Sequence, residues 1–350
     1  MRLLWLVSVP LVSARVVRIQ QQSLTEEVEN AGRAIGIHFT NSHATAAVRY
    51  ENGTVEDLAR VAGDANYIAL MTRWSKKCAP SESLRCRMQR EARQRHADLR
   101  QPLGVDATIL SSMLRQVKTV IEDKLESAIT NVLPVFPPLA ALNEEHIEEA
   151  FEHAGLTWLH ARQQEEQILY ETNAAYAGLG YSLCEFGADG SQCAREENEL
   201  KSQHVLFLNF DNTTFSATLQ NMKNAYQQQI SATFLDTTLG WWNLPVYDEP
   251  RLAFWARIEA IVFAVGNAIQ QPPNKIILMG EHGGDQEFVE VVEAALWELF
   301  EYDASLLMEA NADVNSATLA ARGAAELAFR AGGWNEGATH ASLDAESIEL

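Results

Sequence analysis

The sequence predicts a duplicated α/β fold, two lobes of mixed sheet and helix with a cleft between them. Three observations predict it. Ala34–Val48 (AIGIHFTNSHATAAV) and His204–Leu219 (HVLFLNFDNTTFSATL) are strand–polar turn–strand units about half a chain apart, the mark of an internal duplication. Each is followed by helical patterns alternating with single short apolar runs. The 350 residues suffice for two domains with cores of ordinary size.

Taken in order, Met1–Ala14 carries one positive charge, an apolar run and small residues at Val12-Ser13-Ala14, the pattern of a short secretory signal. After a polar lead, Ile35, Ile37 and Phe39 mark the first strand. It breaks at Thr40-Asn41-Ser42-His43 and resumes at Ala44. Glu51-Asn52-Gly53 is a hairpin turn leading to a third strand at Thr54–Leu58. Residues 73–100 are basic and lack periodicity, and are read as an exposed insertion closed by Cys78 and Cys86.

Ile109, Leu110, Met113, Leu114, Val117, Val120, Ile121, Leu125 and Ile129 recur at three and four, as on an amphipathic helix. Thr130–Phe136 is a strand stopped by Pro137-Pro138, and Asn143 is placed to cap a helix running through His153. Leu156–His160 is a short strand and Glu165–Ala177 a helix. His146, His153 and His160 repeat every seven residues, but Gly155 should end the helix between the last two. They are read as surface histidines, and no metal ligand is assigned.

Residues 181–202 read as a loop holding Cys184 and Cys193. The second hairpin follows, its turn Asp211-Asn212-Thr213-Thr214 made of residues that bond their own backbone. A third strand lies near Gln229–Leu235, a helix over Leu252–Ile269, a strand at Lys275–Met279 ending in Gly280-Glu281-His282-Gly283-Gly284, and a helix over Phe288–Phe300. Ala304–Met308 is read as a strand. Ser316–Arg330 is an alanine-rich helix suited to close backbone approach, with a loose polar tail beyond it.

The net charge of −20 argues against a nucleic-acid partner. No internal apolar run is long enough to span a membrane. The four cysteines fall into two local pairs, Cys78/Cys86 and Cys184/Cys193, whose spacing fits disulfides and lacks the C-x-x-C form of a zinc site. Asn52-Gly53-Thr54 and Asn212-Thr213-Thr214 match the glycosylation sequon. These features point to the secretory pathway, the ER lumen or outside the cell. The final Glu349-Leu350 shares two residues with a luminal retention signal.

The order of these motifs resembles the nucleotide-binding domain of Hsp70 chaperones, in the actin-like ATPase superfamily. Ala34–Val48 looks like the first phosphate loop and His204–Leu219 the second. Thr130–Phe136 with the Asn143 helix resembles the segment between them. Glu171-Thr172-Asn173-Ala174-Ala175-Tyr176 is similar to the family's Glu-Pro-Thr-Ala-Ala-Ala. Ile276–Gly284 looks like the adenosine motif, and Ala317–Ala325 the closing helix. The resemblance spans Ile35 to Arg330. It implies two ribonuclease-H-like lobes: residues 15–180, with the basic insertion, and 181–315, then a closing helix at 316–330 and a tail at 331–350. The second lobe is truncated, because only Asn221–Pro273 fills the interval where the family carries an outer subdomain. The chain has no room for a peptide-binding domain.

The resemblance also implies ATP or ADP with magnesium, held by Thr40, Asn41, Asn209, Asp211, Thr213, Thr214, Gly280 and Gly283, with Glu171 near the attacking water. The expected chemistry is depleted. His38 and Asn209 stand where the family has metal-organising carboxylates, Thr40 replaces a glycine, and Asp211, Asn212 and Thr213 replace three more. A neutral side chain cannot substitute for a carboxylate facing hydrated magnesium, and Asp211 would repel phosphate. The expectation is a pseudo-ATPase that binds a protein partner. The alternative is a divergent active ATPase relying on Asp211 or Asp236. A further reading makes residues 73–100 a partner-binding surface.

Overall fold

The computed structural model describes residues 32–76, 104–162, 168–185, 190–300, 305–308 and 315–345. The signal pattern, the Cys78/Cys86 pair and most of the basic insertion lie outside them.

Strand β1 (Arg33–Phe39) turns into β2 (His43–Tyr50), which turns into β3 (Val55–Ala62), all antiparallel. The β2–β3 turn works as the Asn-Gly pair predicts. Gly53 takes φ +91°, and Asn52 Oδ1 accepts from the Thr54 N–H at 2.9 Å. Strand β4 (Asn131–Val135) then joins β1 in parallel, and β5 (Thr157–Trp158) joins β4, giving the order β3-β2-β1-β4-β5. The second sheet repeats the plan. Strands β6 (Gln203–Phe210), β7 (Phe215–Met222) and β8 (Gln229–Asp236) run antiparallel, and β9 (Lys275–Met279) is parallel to β6, in the order β8-β7-β6-β9. Both middle strands carry a register shift, at Ala46/Ala47 and at Leu219/Gln220. Two sheets with this shared order make the duplicated actin-like fold.

Helices cover the sheets for ordinary reasons of burial. Helix α1 (Ala65–Ser75) is capped by Asp64, whose Oδ1 accepts from the Tyr67 N–H, and it buries Tyr67, Leu70, Met71 and Trp74. The Tyr67, Leu70, Met71 and Trp74 spacing carries the helical period, though no helix was expected there. Helix α2 (Val105–Leu125) buries Leu110, Met113, Leu114, Val117 and Ile121 of the predicted stripe, while Val120 faces out. Helix α3 (Glu144–Ala154) starts at the Asn143 cap and ends at Gly155 with φ +64°. These three helices close the first core over β1–β5. His146 is not a surface residue: it is buried and its ring stacks on Trp74 at 5.1 Å. In the second lobe α6 (Asp248–Gly266) and α7 (Gln286–Phe300) cover β6–β9. A single helix and a short 3₁₀ turn (Trp241–Asn243) fill the interval between β8 and β9.

A third core lies between the lobes. Helix α4 (Glu171–Gly178) and helix α9 (Leu319–Ala345) pack against Ala34, Leu133 and Val135 of one sheet and Val205, Phe207, Ile277 and Met279 of the other. The two helices touch backbone to backbone. A Cβ on Gly323 would lie 1.6 Å from the Ala174 carbonyl oxygen, so only glycine fits. Arg322 forks onto Asp57 of β3 with two bonds of 2.8 Å, and Arg49 of β2 bonds Glu326 at 2.5 Å.

Several elements differ from the sequence reading. Helix α4 begins at Glu171, not Glu165, because Tyr170 bridges to Phe136 beside β4. Part of the segment read as a loop is helix α5 (Gly190–Glu199). Ser305–Met308 is a helical turn, α8, not a strand. Helix α9 continues past Arg330 to Ala345, through residues expected to be loose. The start of the basic insertion, Arg73–Ser75, belongs to α1.

Candidate functional site

The two hairpin turns meet between the lobes. Each is closed by the same bond: the Thr40 N–H donates to His43 O at 2.8 Å, and the Asp211 N–H to Thr214 O at 2.9 Å. This equivalence pairs Thr40 with Asp211 and, two residues earlier, His38 with Asn209. Within the first turn Thr40 Oγ1 accepts from the Ser42 and His43 N–H groups at 3.2 and 3.1 Å. Tyr67, fully buried, donates its hydroxyl to Thr40 O at 2.7 Å, and burial pushes its phenol well above the ordinary range.

Glu171 stands at the start of α4, which is held there by its own N–H bonded to Phe136 O at 2.8 Å. Its side chain is 1% exposed and reaches both hairpins. Oε2 lies 2.8 Å from His38 Nε2, and Oε1 accepts from Asn209 Nδ2 at 3.1 Å. With Glu171 ionised, Nε2 of His38 carries the hydrogen of the first bond. Equivalent positions of the two lobes thus clasp one carboxylate.

A second cluster lies beside it. His43 Nδ1 sits 3.0 Å from Thr40 Oγ1, 2.9 Å from Ser42 Oγ and 3.7 Å from Asp211 Oδ2. Burial pulls the His43 imidazole below its ordinary pKa and outweighs the opposing pull of Asp211. The Asp211 carboxylate is buried, and neither oxygen has a hydrogen-bond donor. Glu281, just past β9, joins this cluster. Its Oε2 accepts from Arg60 of β3 at 2.6 Å and from Asn212 Nδ2. Asn212 Oδ1 faces His282 Nε2 at 3.1 Å, and the His282 ring stacks on Trp241 at 4.2 Å. Burial lowers the pKa of His282, with the nearby carboxylates pulling the other way. Trp241 is drawn over the second turn by its N–H bond to Asp211 O at 3.0 Å. Gly240 permits this, since a Cβ there would fall 2.3 Å from the Thr213 carbonyl carbon.

The structure brings Thr40, Asn41, Asn209, Asp211, Thr213, Thr214 and Glu171 to one buried junction. Gly280 reaches it too, but the fold itself uses the glycine: at φ +90°, a Cβ would lie 2.3 Å from Asn209 Oδ1. Gly283 serves the turn after β9, its missing Cβ leaving room for Met279 O. A triphosphate does not fit these residues. The Thr40, Ser42, His43 and Asp211 N–H groups are already bonded inside their turns, and the Asp211 carboxylate faces the space where a phosphate would lie. Buried polar atoms nevertheless remain without partners there: both amide atoms of Asn41, Thr213 Oγ1, Asn209 Oδ1 and the Asp211 oxygens.

Of the two sequons, Asn52 is exposed on its turn. Asn212 is 7% exposed with its amide bonded on both sides, so the folded chain cannot present it to a glycan. Cys184 and Cys193 form the expected disulfide, with Cα atoms 5.1 Å apart. Sequence reasoning missed His43, Arg60 and Glu281. His43 and Glu281 stood within segments already singled out, and Arg60 did not. No helix among the described residues is long and apolar enough to cross a membrane.

No protein-family model and no curated protein sequence matches the chain. Among solved structures it is similar to the ethanolamine utilization protein EutJ from Carboxydothermus hydrogenoformans. The two are 14% identical over 84% of this chain and 89% of that one, with a TM-score of 0.46. The fold is established by the strand order of its two sheets.

Proposed function

We propose that this chain is an Hsp70-like nucleotide-binding-domain protein of the secretory pathway that has become a pseudo-ATPase, a scaffold that acts by binding a protein partner. One observation carries the reading. In the resembled family, carboxylates at the positions of His38 and Asn209 face the cleft together with the residue matched by Glu171, and a hydrated magnesium ion reconciles them. Here His38 and Asn209 both hydrogen-bond Glu171. Two side chains of the chain itself hydrogen-bond the remaining buried carboxylate, one on each oxygen, where the family would use a hydrated ion. The Cys184–Cys193 disulfide fits an oxidising compartment.

The test is calorimetric titration of the purified chain with ATP and with ADP, each with and without magnesium. No binding at millimolar nucleotide is expected. Saturable, magnesium-dependent binding would overturn the reading. The unpartnered Asp211 carboxylate favours one other reading, a divergent ATPase. On that reading magnesium-dependent phosphate release is present and Asp211→Asn abolishes it.

A further inference from the structure

The geometry points to a divalent transition-metal site formed by His43, Asp211 and Glu281, at which an ion of the zinc class joins the two lobes. One ligand atom from each of the three lies within 4.8 Å of the others. A tetrahedral ion with bonds of about 2.1 Å holds its ligands roughly 3.4 Å apart. His43 Nδ1 and Asp211 Oδ2 are already at 3.7 Å. Glu281 is more than a quarter exposed and needs only a small rotation to close the set.

An independent observation asks for a cation. Asp211 is 1% exposed, and both carboxylate oxygens lack a donor. A buried carboxylate with no hydrogen bond is among the costliest groups a fold can hold. The nearby positive charge, Arg60, is engaged by Glu281. Both recorded bonds of Glu281 fall on Oε2, leaving Oε1 for an ion. One nitrogen and two carboxylate ligands suit zinc-class ions rather than magnesium, which prefers six oxygens. Three protein ligands leave a fourth position for water.

The ligands come from three separate segments. His43 follows the first turn, while Asp211 and Glu281 belong to the second lobe. The site shares Asp211 with the residues that the resemblance assigns to nucleotide and magnesium, but it uses neither His38 nor Asn209, the positions of the family's metal-organising carboxylates. It does not depend on nucleotide binding or on its loss.

The experiment uses the full chain, stripped by chelator, with no nucleotide present. Zinc and magnesium chloride are titrated separately by calorimetry, and cobalt is added in parallel to read its visible spectrum. Expected are one zinc bound per chain at micromolar concentration or below, at least a tenfold weaker response to magnesium, and the absorption of tetrahedral cobalt. Asp211→Asn and Glu281→Gln should each weaken zinc at least tenfold, with circular dichroism unchanged. His153→Ala, on an exposed helix face, should leave it unchanged. Should Asp211→Asn fail to fold, Glu281→Gln decides alone, since that side chain is partly exposed. Absence of saturable zinc binding by the native chain, or equal binding by Glu281→Gln, would overturn the proposal.

Discussion

Glu171 shows how much one side chain can organise when two lobes converge on it. Its carboxylate receives a bond from each half of the duplication, at 2.8 and 3.1 Å, and water is excluded. Glu171→Ala would leave His38 Nε2 and Asn209 Nδ2 buried without their acceptor. A loss of about 3 kcal/mol in unfolding free energy is expected by urea titration. A loss below about 0.5 kcal/mol would show that the bridge contributes nothing. Most members of this junction were legible in the sequence, because Thr40, Asn41, Asp211, Thr213 and Thr214 are turn residues between strand patterns. Their pairing was not. Arg60 and Glu281 stand 221 positions apart, and neither residue's surroundings in sequence point to the other, so only closure of the lobes reveals their contact. Glu171 was singled out for chemistry, yet its contacts with His38 and Asn209 are those of a structural bridge.

At the level of elements, the α4–α9 crossing is the most constrained feature. Gly323→Ala would drive a methyl into the Ala174 carbonyl at 1.6 Å, which neither helix can relieve without separating. A loss of about 3 kcal/mol or more is expected in thermal unfolding. A second prediction concerns α6 and α7, whose first turns are tied by the fork of Arg251 on Glu287, one bond measuring 3.0 Å. The Arg251 hydrogen bond holds the Glu287 carboxyl below its usual value. A depressed pKa means stability that is present above the unfolded value near 4.5 and is lost as pH falls through the folded one. Glu287→Gln should therefore be less stable than the native chain at pH 7, by up to about 1 kcal/mol for so exposed a pair. The difference should vanish toward pH 3, and a difference independent of pH would refute the assignment. The elements that sequence located well, α2, α3, β4 and β9, bury a face with a clear period. Helix α5 did not show itself because it has no such face; Cys193 is its buried residue and the disulfide fastens it. The four residues of α8 are too few to display any period, and the charged run before Tyr170 reads as helix until the Phe136 bridge takes that residue into the sheet edge.

For the molecule as a whole, the third core makes the two lobes one cooperative body. Helices α4 and α9 bury side chains against both sheets at once, so neither lobe can open without exposing the other's inner face. Trp74 is buried in the first lobe and Trp255 in the second. The chain holds eight tryptophans, so the native fluorescence minus that of Trp74→Phe, and minus that of Trp255→Phe, isolates one probe in each lobe, and the two should report one coincident urea transition. Two separated transitions would show that the seam does not couple the lobes.

The same seam imposes an order of events during synthesis. The inner faces of β1 and β4 leave the ribosome early, yet the helix that covers them begins only at Leu319. Arg49 and its partner Glu326 are 277 positions apart, which at about 5–20 residues per second is a wait of roughly a quarter to a full minute. Once β4 has been made, Ala34, Leu133 and Val135 form an apolar strip that the last helix does not yet cover. The nascent first lobe is thus itself a client for chaperones until its own last helix arrives.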